Sequence, residues 1–348
     1  METSTNSDLA LLATSGIRRF NALAAKVDGC VRLTLGEPEF PTPVPVCEAV
    51  ARSLAKGQTH YPPNNGRPDL LEALSAYMRR HGLGYGPEEL VVTCGATEAL
   101  SATLMAILDP GDEVVVPTPA FGLYETIVRA AHGRVATLDT SCSGFQIRER
   151  DLRGVVGLRT RAIVITSPNN PTGCVLDSES LDVAAERGLV VVCDDVYNRL
   201  CYEEGYERFA SRHPELRDQT VVVDSFSKPW AMTGWRLGWL AAAPALKSQI
   251  QRCTSTWCLA CRRFCRRRPS WRLAATLSPC VRPIAAGATT WSVALSRWGC
   301  RSRGLRAPST PFRTCAALGW APRSSASASY GRRASRACLA PALGPRAS

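Results

Sequence analysis

A single lysine stands among hydroxyl-bearing and apolar side chains in the stretch DSFSKPWAMTGWRLGW, residues 224–239. This lysine, Lys228, follows Ser225 and Ser227, and Arg236 comes eight residues after it. A cation in apolar surroundings must pair with an anion or give up its proton. A neutral amine attacks carbonyl carbons, and an arginine can clamp a phosphate. The stretch therefore indicates a reactive amine close to an anion-binding group.

A candidate phosphate site follows another apolar run, ELVVTC at 89–94. Gly95, Ala96 and Thr97 come directly after this run and open a helix-like stretch. A strand end that opens a helix leaves backbone N–H groups free, and these groups can bind a phosphate together with the Thr97 hydroxyl. An ordinary turn with a helix-capping threonine has the same pattern, so both interpretations stay open for this motif alone.

Two more apolar runs end in polar side chains. The run RAIVIT (161–166) is followed by SPNNPTG, in which two asparagines stand between two prolines that would hold a side-chain amide rigidly. The run GLVVVCD (188–194) ends at Asp194, and Tyr197 lies three residues later. The alternatives are a common Pro/Asn/Gly turn and an acid that caps the next helix.

One kind of ligand would use all four groups: a phosphorylated, electron-poor aromatic ring that carries an aldehyde. The lysine would form an imine with the aldehyde. The acid would keep the ring nitrogen protonated, so that the ring becomes an electron sink. The amide and the phenol would bind the ring hydroxyl, and the arginine would clamp the phosphate.

The apolar runs that precede these groups are typical of strands in a parallel sheet. They are continuously apolar and rich in β-branched residues, as in strands that are covered on both faces. The runs lie at 89–94, 112–117, 161–166, 188–194 and 220–225, and helix-like stretches lie at 97–108, 121–131 and 178–187. This alternation predicts an α/β fold with a doubly wound, mostly parallel sheet. Such sheets bind ligands beyond the carboxyl ends of their strands, where the polar groups are placed.

Seven stretches follow one another in a recognisable order. They are LGEPEFPTP (35–43), YPPNNGRPDLLEAL (61–74), GATEAL (95–100), PTPAFGLY (117–124), SPNNPTG (167–173), DDVYNRL (194–200) and SFSKPWAMTGWRLGW (225–239). In this order they resemble the class I/II aminotransferases that depend on pyridoxal phosphate, of fold type I and of the aspartate or aromatic aminotransferase kind. The resemblance runs from about residue 15 to 250, and it implies pyridoxal 5'-phosphate as cofactor.

The resemblance also implies roles for residues of this chain. Lys228, Asp194 and Tyr197 would be the catalytic residues. Lys228 would hold the cofactor as a Schiff base and then move the α-proton of the substrate, while Asp194 would pair with the ring nitrogen. Asn170 and Tyr197 would reach the ring oxygen, and Phe121 would stack on the ring.

Further implied roles concern the phosphate, the substrate and a second subunit. The residues expected to surround the phosphate are Gly95, Ala96, Thr97, Ser225 and Arg236. Tyr61 would reach the phosphate site of a neighbouring subunit, which implies a homodimer. Gly36 would let the substrate carboxylate approach the backbone, with Asn170 beside the substrate. No metal is expected, because the cysteines of residues 1–251 are scattered and lie away from histidines.

The composition changes abruptly near residue 251. Residues 252–348 contain 18 arginines and no lysine, aspartate or glutamate. Because the whole chain has a formal charge of +12, residues 1–251 carry −6. The stretch after Gln251 shows neither helical periodicity nor mixed charge, and the family's small-domain arginine for the substrate α-carboxylate is not found there.

A change of reading frame near codon 251 is one hypothesis for this tail. In the shifted frame residues 252–264 can encode Val-His-Gln-Tyr-Leu-Val-Ser-Gly-Val-Pro-Ala-Phe, similar to the family's connecting helix, and 306–313 can encode Gly-Ala-Phe-Tyr-Ala-Phe-Pro. We therefore expect an N-terminal arm and part of a small domain over 1–40. A large cofactor domain would follow over 41–251, and an aberrant, poorly ordered tail over 252–348, which leaves the small domain incomplete.

Several alternatives stay open for the activity and for the tail. The arginines would bind nucleic-acid phosphates, but no recognition fold accompanies them, and no specific nucleic acid is expected. An aminotransferase and a lyase of the same fold, such as a carbon–sulfur lyase, would share every residue named above. A catalytically silent product is a third hypothesis. Without a secretory signal or a run of about 18–20 apolar residues, no membrane association is expected, and the cytoplasm is the expected location.

Overall fold

The computed structural model describes residues 16–30, 36–58, 60–186, 188–202 and 205–257. Within these ranges seven strands form a single sheet at the centre of the molecule. The strands are β1 (Leu90–Thr93), β2 (Glu113–Thr118), β3 (Arg134–Asp139), β4 (Thr160–Thr166), β5 (Val190–Asp194), β6 (Thr220–Ser225) and β7 (Gly238–Ala242).

The strand order is β1-β7-β6-β5-β4-β2-β3. Strand β7 pairs antiparallel with β1 and with β6, and the other neighbouring pairs are parallel. Strands β4, β5 and β6 are neighbours, so their carboxyl ends meet at one edge of the sheet. Because β7 runs in the opposite direction, it begins at the edge where the other six strands end.

Helices connect the strands and cover both faces of the sheet. They are α1 (Gly16–Ala24), α2 (Val44–Ala55), α3 (Pro68–Arg80), α4 (Gly95–Ile107), α5 (Leu123–Ala130), α6 (Glu149–Val155), α7 (Ser178–Ala185), α8 (Phe209–Arg212) and α9 (Pro244–Trp257). Short 3₁₀ turns lie at Pro87–Glu89, Ser141–Ser143, Asn198–Leu200, Pro214–Gln219 and Thr233–Trp235. Helix α3 begins with a proline at its first position and has arginines in its last turn, both of which favour a helix.

The core lies in layers on the two faces of the sheet, and each strand contributes to both. Val221 and Val223 of β6 pack with α4, α5 and α9 on one face. Val222, between them, packs with α3 and Trp239 on the other face. Because successive side chains of a strand point to opposite faces, a strand covered on both sides reads as a continuous apolar run.

The predicted α/β fold with a mostly parallel, doubly wound sheet is confirmed. The five predicted strands are present, and the run at 220–225 has the predicted bounds. Strands β3 and β7 were not predicted. Strand β3 is half-exposed and has no long apolar run, whereas β7 lies directly after the Arg236 motif and is the antiparallel member of the sheet.

Parts of the predicted domain scheme lie outside the described residues. These parts are residues 1–15 and 31–35 of the arm and residues 258–348 of the tail, where the frame hypothesis applies. The expectation that helical periodicity ends at Gln251 is wrong for the next residues, since α9 continues to Trp257. Ile250, Cys253 and Thr254 are spaced as one helical face and turn towards the core, which explains the continuation.

Candidate active site

Lys228 lies in the turn that follows β6 and is half-buried. Its Nζ donates a hydrogen bond to the carbonyl oxygen of Gly36 and lies 5.8 Å from the centroid of the Tyr197 ring. Burial lowers the pKa of Lys228 below that of an ordinary lysine; Glu37 opposes this shift, and the charge of Arg236 adds to it. The amine is therefore easier to deprotonate than a lysine on the surface.

The segment that carries Gly36 is fastened to the lysine turn by side chains. Thr233 donates a hydrogen bond to Oε2 of Glu37 at 2.9 Å. Trp235 donates its indole N–H to Oγ1 of Thr42, also at 2.9 Å. These bonds join residues almost 200 positions apart in sequence, and they hold the Gly36 carbonyl within reach of the amine.

Asp194 ends β5 and is 4% exposed. The Tyr124 hydroxyl donates to Oδ2 of Asp194 at 2.6 Å, and the Thr166 hydroxyl lies 2.6 Å from the same tyrosine oxygen. Burial raises the pKa of Asp194 to about 6, although the bond from Tyr124 opposes the shift. In the described part of the chain no positive side chain offsets this burial. Asp194 is thus a carboxylate that a cationic ligand would stabilise.

Tyr197 is a neighbour of both Lys228 and Asp194, since Nζ of Lys228 lies 5.8 Å from its ring centroid and the charge of Asp194 adds to the shift of its pKa. The amide of Asn170 donates to the Tyr197 hydroxyl at 3.4 Å, and burial raises the pKa of Tyr197 to about 12. The phenol therefore keeps its proton at neutral pH and can donate it in a hydrogen bond. Phe121 is 36% exposed, and its ring stands perpendicular to that of Tyr124 at 6.0 Å between centroids.

A candidate anion recess is formed at the start of α4 by its backbone and by Arg236, and the Glu98 carboxylate accepts the Cys94 N–H on the same helix end. Gly95, the first residue of this helix, has φ +74°, and a Cβ on it would lie 2.7 Å from Nη2 of Arg236. The guanidinium thus covers the glycine, beside the free N–H groups of the first helical turn with Ala96 and Thr97. A helix N-terminus next to a guanidinium is suited to an anion.

Gly238 and Ser225 complete this side of the site. A Cβ on Gly238 would lie 2.6 Å from the carbonyl carbon of Gly95 and 2.8 Å from the nitrogen of Ala96. Only glycine therefore lets the first residue of β7 approach α4. Ser225 is 2% exposed, and its Oγ accepts a hydrogen bond from the Ser227 N–H at 3.3 Å.

The groups that follow β1, β4, β5 and β6 lie at one edge of the sheet, and the tip of β1 is separated from β6 by the antiparallel strand β7. Lys228 is adjacent to Tyr197 and to the charge of Arg236. Tyr61 lies apart on a loop and is 83% exposed.

Sequence reasoning missed two residues of this site. Tyr124 stood in the stretch PTPAFGLY, but only its spacing from Phe121 could have signalled a role, since its partner Asp194 is 70 positions away. Gly238 follows Arg236 by two residues, and a glycine inside an apolar strand is a signal of close backbone approach.

Two other searches cover the described part of the chain only. It contains no group of three or more His, Cys, Asp or Glu side chains that could hold a metal ion. Within the same ranges no helix is both long enough and apolar enough to cross a membrane.

The family described as Aminotransferase class I and II matches residues 28–266, more than half of the chain. The chain belongs to this family. The match contains the lysine, the buried acid and the anion recess described above, and it extends past the change of composition at 251.

Relatives and solved structures of the family agree with this assignment. The chain is 43% identical over 215 residues to the aspartate/prephenate aminotransferase of Thermus thermophilus, covering 60% of this chain and 55% of that protein. It is 36% identical over 241 residues to the aspartate aminotransferase of Pyrococcus abyssi, covering 67% and 62%. The first three curated relatives are covered over 61%, 62% and 64% of their lengths, so the chain matches less than two thirds of them.

Two solved structures show the same fold. The Thermus thermophilus aspartate aminotransferase with maleate superposes with a TM-score of 0.78 at 31% identity, over 85% of this chain and 81% of that one. The N-succinyldiaminopimelate aminotransferase of Mycobacterium tuberculosis gives 0.78 at 30% identity, over 84% and 79%. The chain therefore shares the α/β architecture of these proteins.

Proposed function

We propose that the protein moves an amino group between an L-amino acid and a 2-oxo acid with pyridoxal 5'-phosphate as cofactor. One observation carries the proposal: neighbouring groups run from Gly95 and Arg236, through Lys228 and Tyr197, to Asp194. These groups are an anion recess, an amine, a phenol and an acid, in the order that the phosphate, aldehyde, hydroxyl and ring nitrogen of this cofactor require.

The residues present fit the cofactor. When bound, pyridoxal phosphate supplies an aldehyde for the lysine and an aromatic ring that takes up the electron pair left by a departing α-proton. Asp194 fits the ring nitrogen, because a protonated nitrogen would provide the positive charge that this buried carboxylate lacks. Asn170 and Tyr197 would bind the ring oxygen, and Phe121 would cover one face of the ring.

Lys228 has two tasks in the proposed reaction. Its lowered pKa raises the fraction of neutral amine at a given pH, which favours attack on a carbonyl carbon. Once the substrate amine has displaced it, Nζ would take the α-proton and return it to another carbon, as a general base and acid. The Gly36 carbonyl accepts a hydrogen bond from the same Nζ.

The proposed phosphate cradle is built by backbone rather than by many charges. The N–H groups of Gly95, Ala96 and Thr97 would bind phosphate oxygens with the helix dipole behind them, and Arg236 would supply the positive charge. Ser225 would add a hydroxyl from the end of β6.

Gly238→Ala is expected to damage this cradle. Its Cβ would meet backbone atoms at 2.6–3.0 Å, which cannot rotate away. We expect the free energy of unfolding to fall by about 1–3 kcal/mol and the dissociation constant of pyridoxal phosphate to rise about tenfold or more. Denaturant unfolding and a cofactor titration measure the two effects. Gly234→Ala is the matched control, since a Cβ there meets nothing within 4 Å; equal effects of both substitutions would contradict the close approach.

The substrates and the assembly are proposals of the same kind. Gly36 and Asn170 would adjoin the substrate carboxylate. Relatives are named as aspartate aminotransferases, so aspartate is the first donor to test. The exposed Tyr61 would reach the phosphate site of a second copy in a homodimer, and a cytoplasmic location stays a prediction.

A half-reaction tests the proposed function. The purified full chain is mixed with pyridoxal phosphate and then with aspartate alone, without an oxo acid. We expect the visible absorption of the lysine-bound cofactor to disappear and to return when 2-oxoglutarate is added, because the amino group is transferred in two separate steps. Release of pyruvate and ammonia from cysteine would instead identify a lyase. If neither the cofactor nor any amino acid changes the spectrum, the hypothesis of a catalytically silent protein remains.

A further inference from the structure

Beside the proposed site lies a buried polar network that the proposed chemistry does not use. Its members are Asp195, Asn198, Arg208 and Asp224, which are between 1% and 8% exposed. Two carboxylates and one guanidinium are costly to bury, because charges lose their hydration. Hydrogen bonds between such groups fix the positions of the attached backbone. In the described part of the chain Oδ2 of Asp195 has no hydrogen-bond partner, and it lies 3.8 Å from Nε of Arg208.

Asn198 is the centre of this network. Its amide nitrogen donates to the Asp195 carbonyl oxygen and to Oδ2 of Asp224 at 2.9 Å. Its amide oxygen accepts a hydrogen bond from Nη2 of Arg208. Because arginine has only donors, the oxygen must face Arg208, and the nitrogen must therefore face Asp224.

The network bridges two segments at the place where the sheet stops joining them. The last paired residues of β5 and β6 are Asp194 and Val223, and the Asp195 N–H donates the last backbone bond between the two strands, to the Val223 carbonyl oxygen at 2.8 Å. One segment continues to Tyr197. The other continues to Ser225 and Lys228. The bond from Asn198 to Asp224 joins the two segments directly after the last strand pair.

Each end of this bridge is adjacent to a proposed cofactor residue. Asn198 directly follows Tyr197. Asp224 directly precedes Ser225, and its Oδ1 accepts the Ser225 N–H at 2.7 Å. A shift of the bridge would therefore move the phenol relative to the serine hydroxyl and the lysine turn.

We propose that Asn198 is a positioning residue whose side-chain amide sets the distance between the Tyr197 segment and the Ser225–Lys228 segment. This inference rests on the proposed function for its consequence, since the two segments would bind different groups of one cofactor: Tyr197 the ring hydroxyl, Lys228 the aldehyde and Ser225 the phosphate. Asn198 touches neither cofactor nor substrate in this scheme. It acts through Asp224 and Asp195, and Arg208 fixes the direction of its amide.

The two partners of the bridge can be exchanged, which gives a sharp test. Burial raises the pKa of Asp224 to about 8, so the variants are compared above that pH, where Asp224 is ionised and only accepts hydrogen bonds. Asn198→Asp then places a carboxylate against a carboxylate. Asp224→Asn leaves one acceptor oxygen for two donors, the Asn198 amide and the Ser225 N–H, so each single variant loses a hydrogen bond. The double variant restores a donor facing an acceptor with unchanged net charge, and the carboxylate introduced by Asn198→Asp would still accept from Arg208. Only the bond to the Asp195 carbonyl is not restored.

Two measurements on the full chain are compared across these variants. We expect each single variant to raise the dissociation constant of pyridoxal phosphate about 10- to 100-fold, the range for a lost hydrogen bond to a charged group. The double variant should recover to within about fivefold of the unmodified protein. Hydrogen exchange without cofactor should increase at 195–200 and 224–228 in the single variants, stay unchanged in β2 and β3, and recover in the double variant.

Other results would overturn the inference. If Asn198 only stabilised the fold, its substitution would raise hydrogen exchange throughout the sheet. The loss of cofactor affinity in the double variant would then equal the sum of the losses in the two single variants. Single variants that bind pyridoxal phosphate and exchange their amide hydrogens as the unmodified protein does would also contradict the inference. If the single variants do not fold, folding of the double variant supports the bridge. If the double variant also fails to fold, the uncharged variant Asn198→Ser is measured instead. Hydrogen exchange at 195–200 and 224–228 that is faster than in the unmodified protein would support the bridge. Exchange at the unmodified rate would refute it.

The same experiment separates this inference from the proposed function. An unmodified chain that shows no spectral response to pyridoxal phosphate would refute the proposed cofactor. The exchange measurements need no cofactor, so they would still decide whether Asn198 couples the two segments.

Discussion

Lys228→Ala is expected to abolish the visible absorption that pyridoxal phosphate acquires when it condenses with the protein. It should also lower transamination about 10⁴-fold or more, because a single substitution removes both the nucleophile and the general base. The lysine turn itself should persist. Its backbone bonds, such as Met232 N–H to the Ser227 carbonyl at 3.0 Å, do not involve the side chain.

Lys247→Ala is the matched control for this variant. Lys247 is also half-buried, and burial lowers its pKa as it does that of Lys228. It lies on α9, outside the contacts that define the candidate site. We expect its removal to leave the absorption and the turnover unchanged. Equal losses of absorption and turnover in both variants would contradict the specific role of position 228.

Asp194→Asn is expected to have the second-largest effect. An amide cannot hold a ring nitrogen protonated as a carboxylate does, so the ring would take up less of the developing negative charge. We expect turnover to fall about 10²- to 10³-fold, the range for loss of one preorganised electrostatic partner. The matched control is Asp112→Asn, which replaces a buried carboxylate that accepts from Arg161 at 3.2 Å, away from the site. A variant of Asp194 with full turnover would contradict the proposed role.

The same substitution has a consequence for stability without cofactor. The folded-state pKa of Asp194 is about 6, above its usual 3.8, so the folded protein holds this proton between those pH values. The free energy of unfolding should therefore fall as pH rises from about 4 to 6, by up to roughly 3 kcal/mol. Asp194→Asn should remove this contribution, while those of Asp195 and Asp224, whose pKa values burial also raises, stay in both proteins. Urea unfolding at pH 4, 5, 6 and 7 therefore measures the difference between the two proteins. A difference that does not vary with pH would contradict the raised pKa.

Much of the fold was predictable because strands covered on both faces leave a strong pattern. The apolar runs before Gly95, Asp194 and Ser225 each mark a strand, and a polar group follows each one where a parallel sheet binds its ligands. Strand β7 was not predictable in this way. Its sequence is equally apolar, but its direction depends on pairing with β1 and β6.

A candidate site residue was predictable where its own type and its sequence neighbours indicate a role. It was less predictable where the role depends on contact with a side chain far away in sequence. Lys228 stood out because its neighbours are apolar. The bond from Tyr124 to Asp194 joins positions that no local pattern relates, and so does the bridge from Asn198 to Asp224. The need for glycine at position 238 depends on the backbone of Gly95, which is far away in sequence. Such contacts arise from tertiary packing, so a single sequence carries little local signal for them.

Borohydride reduction in the presence of pyridoxal phosphate tests the central claim most directly. The chain contains four lysines, Lys26, Lys56, Lys228 and Lys247, and reduction fixes the cofactor to any amine with which it has condensed. We predict a stoichiometric adduct on the peptide that contains Lys228, found by mass spectrometry after proteolysis. An adduct spread over the other lysines, or none on Lys228, would contradict the account.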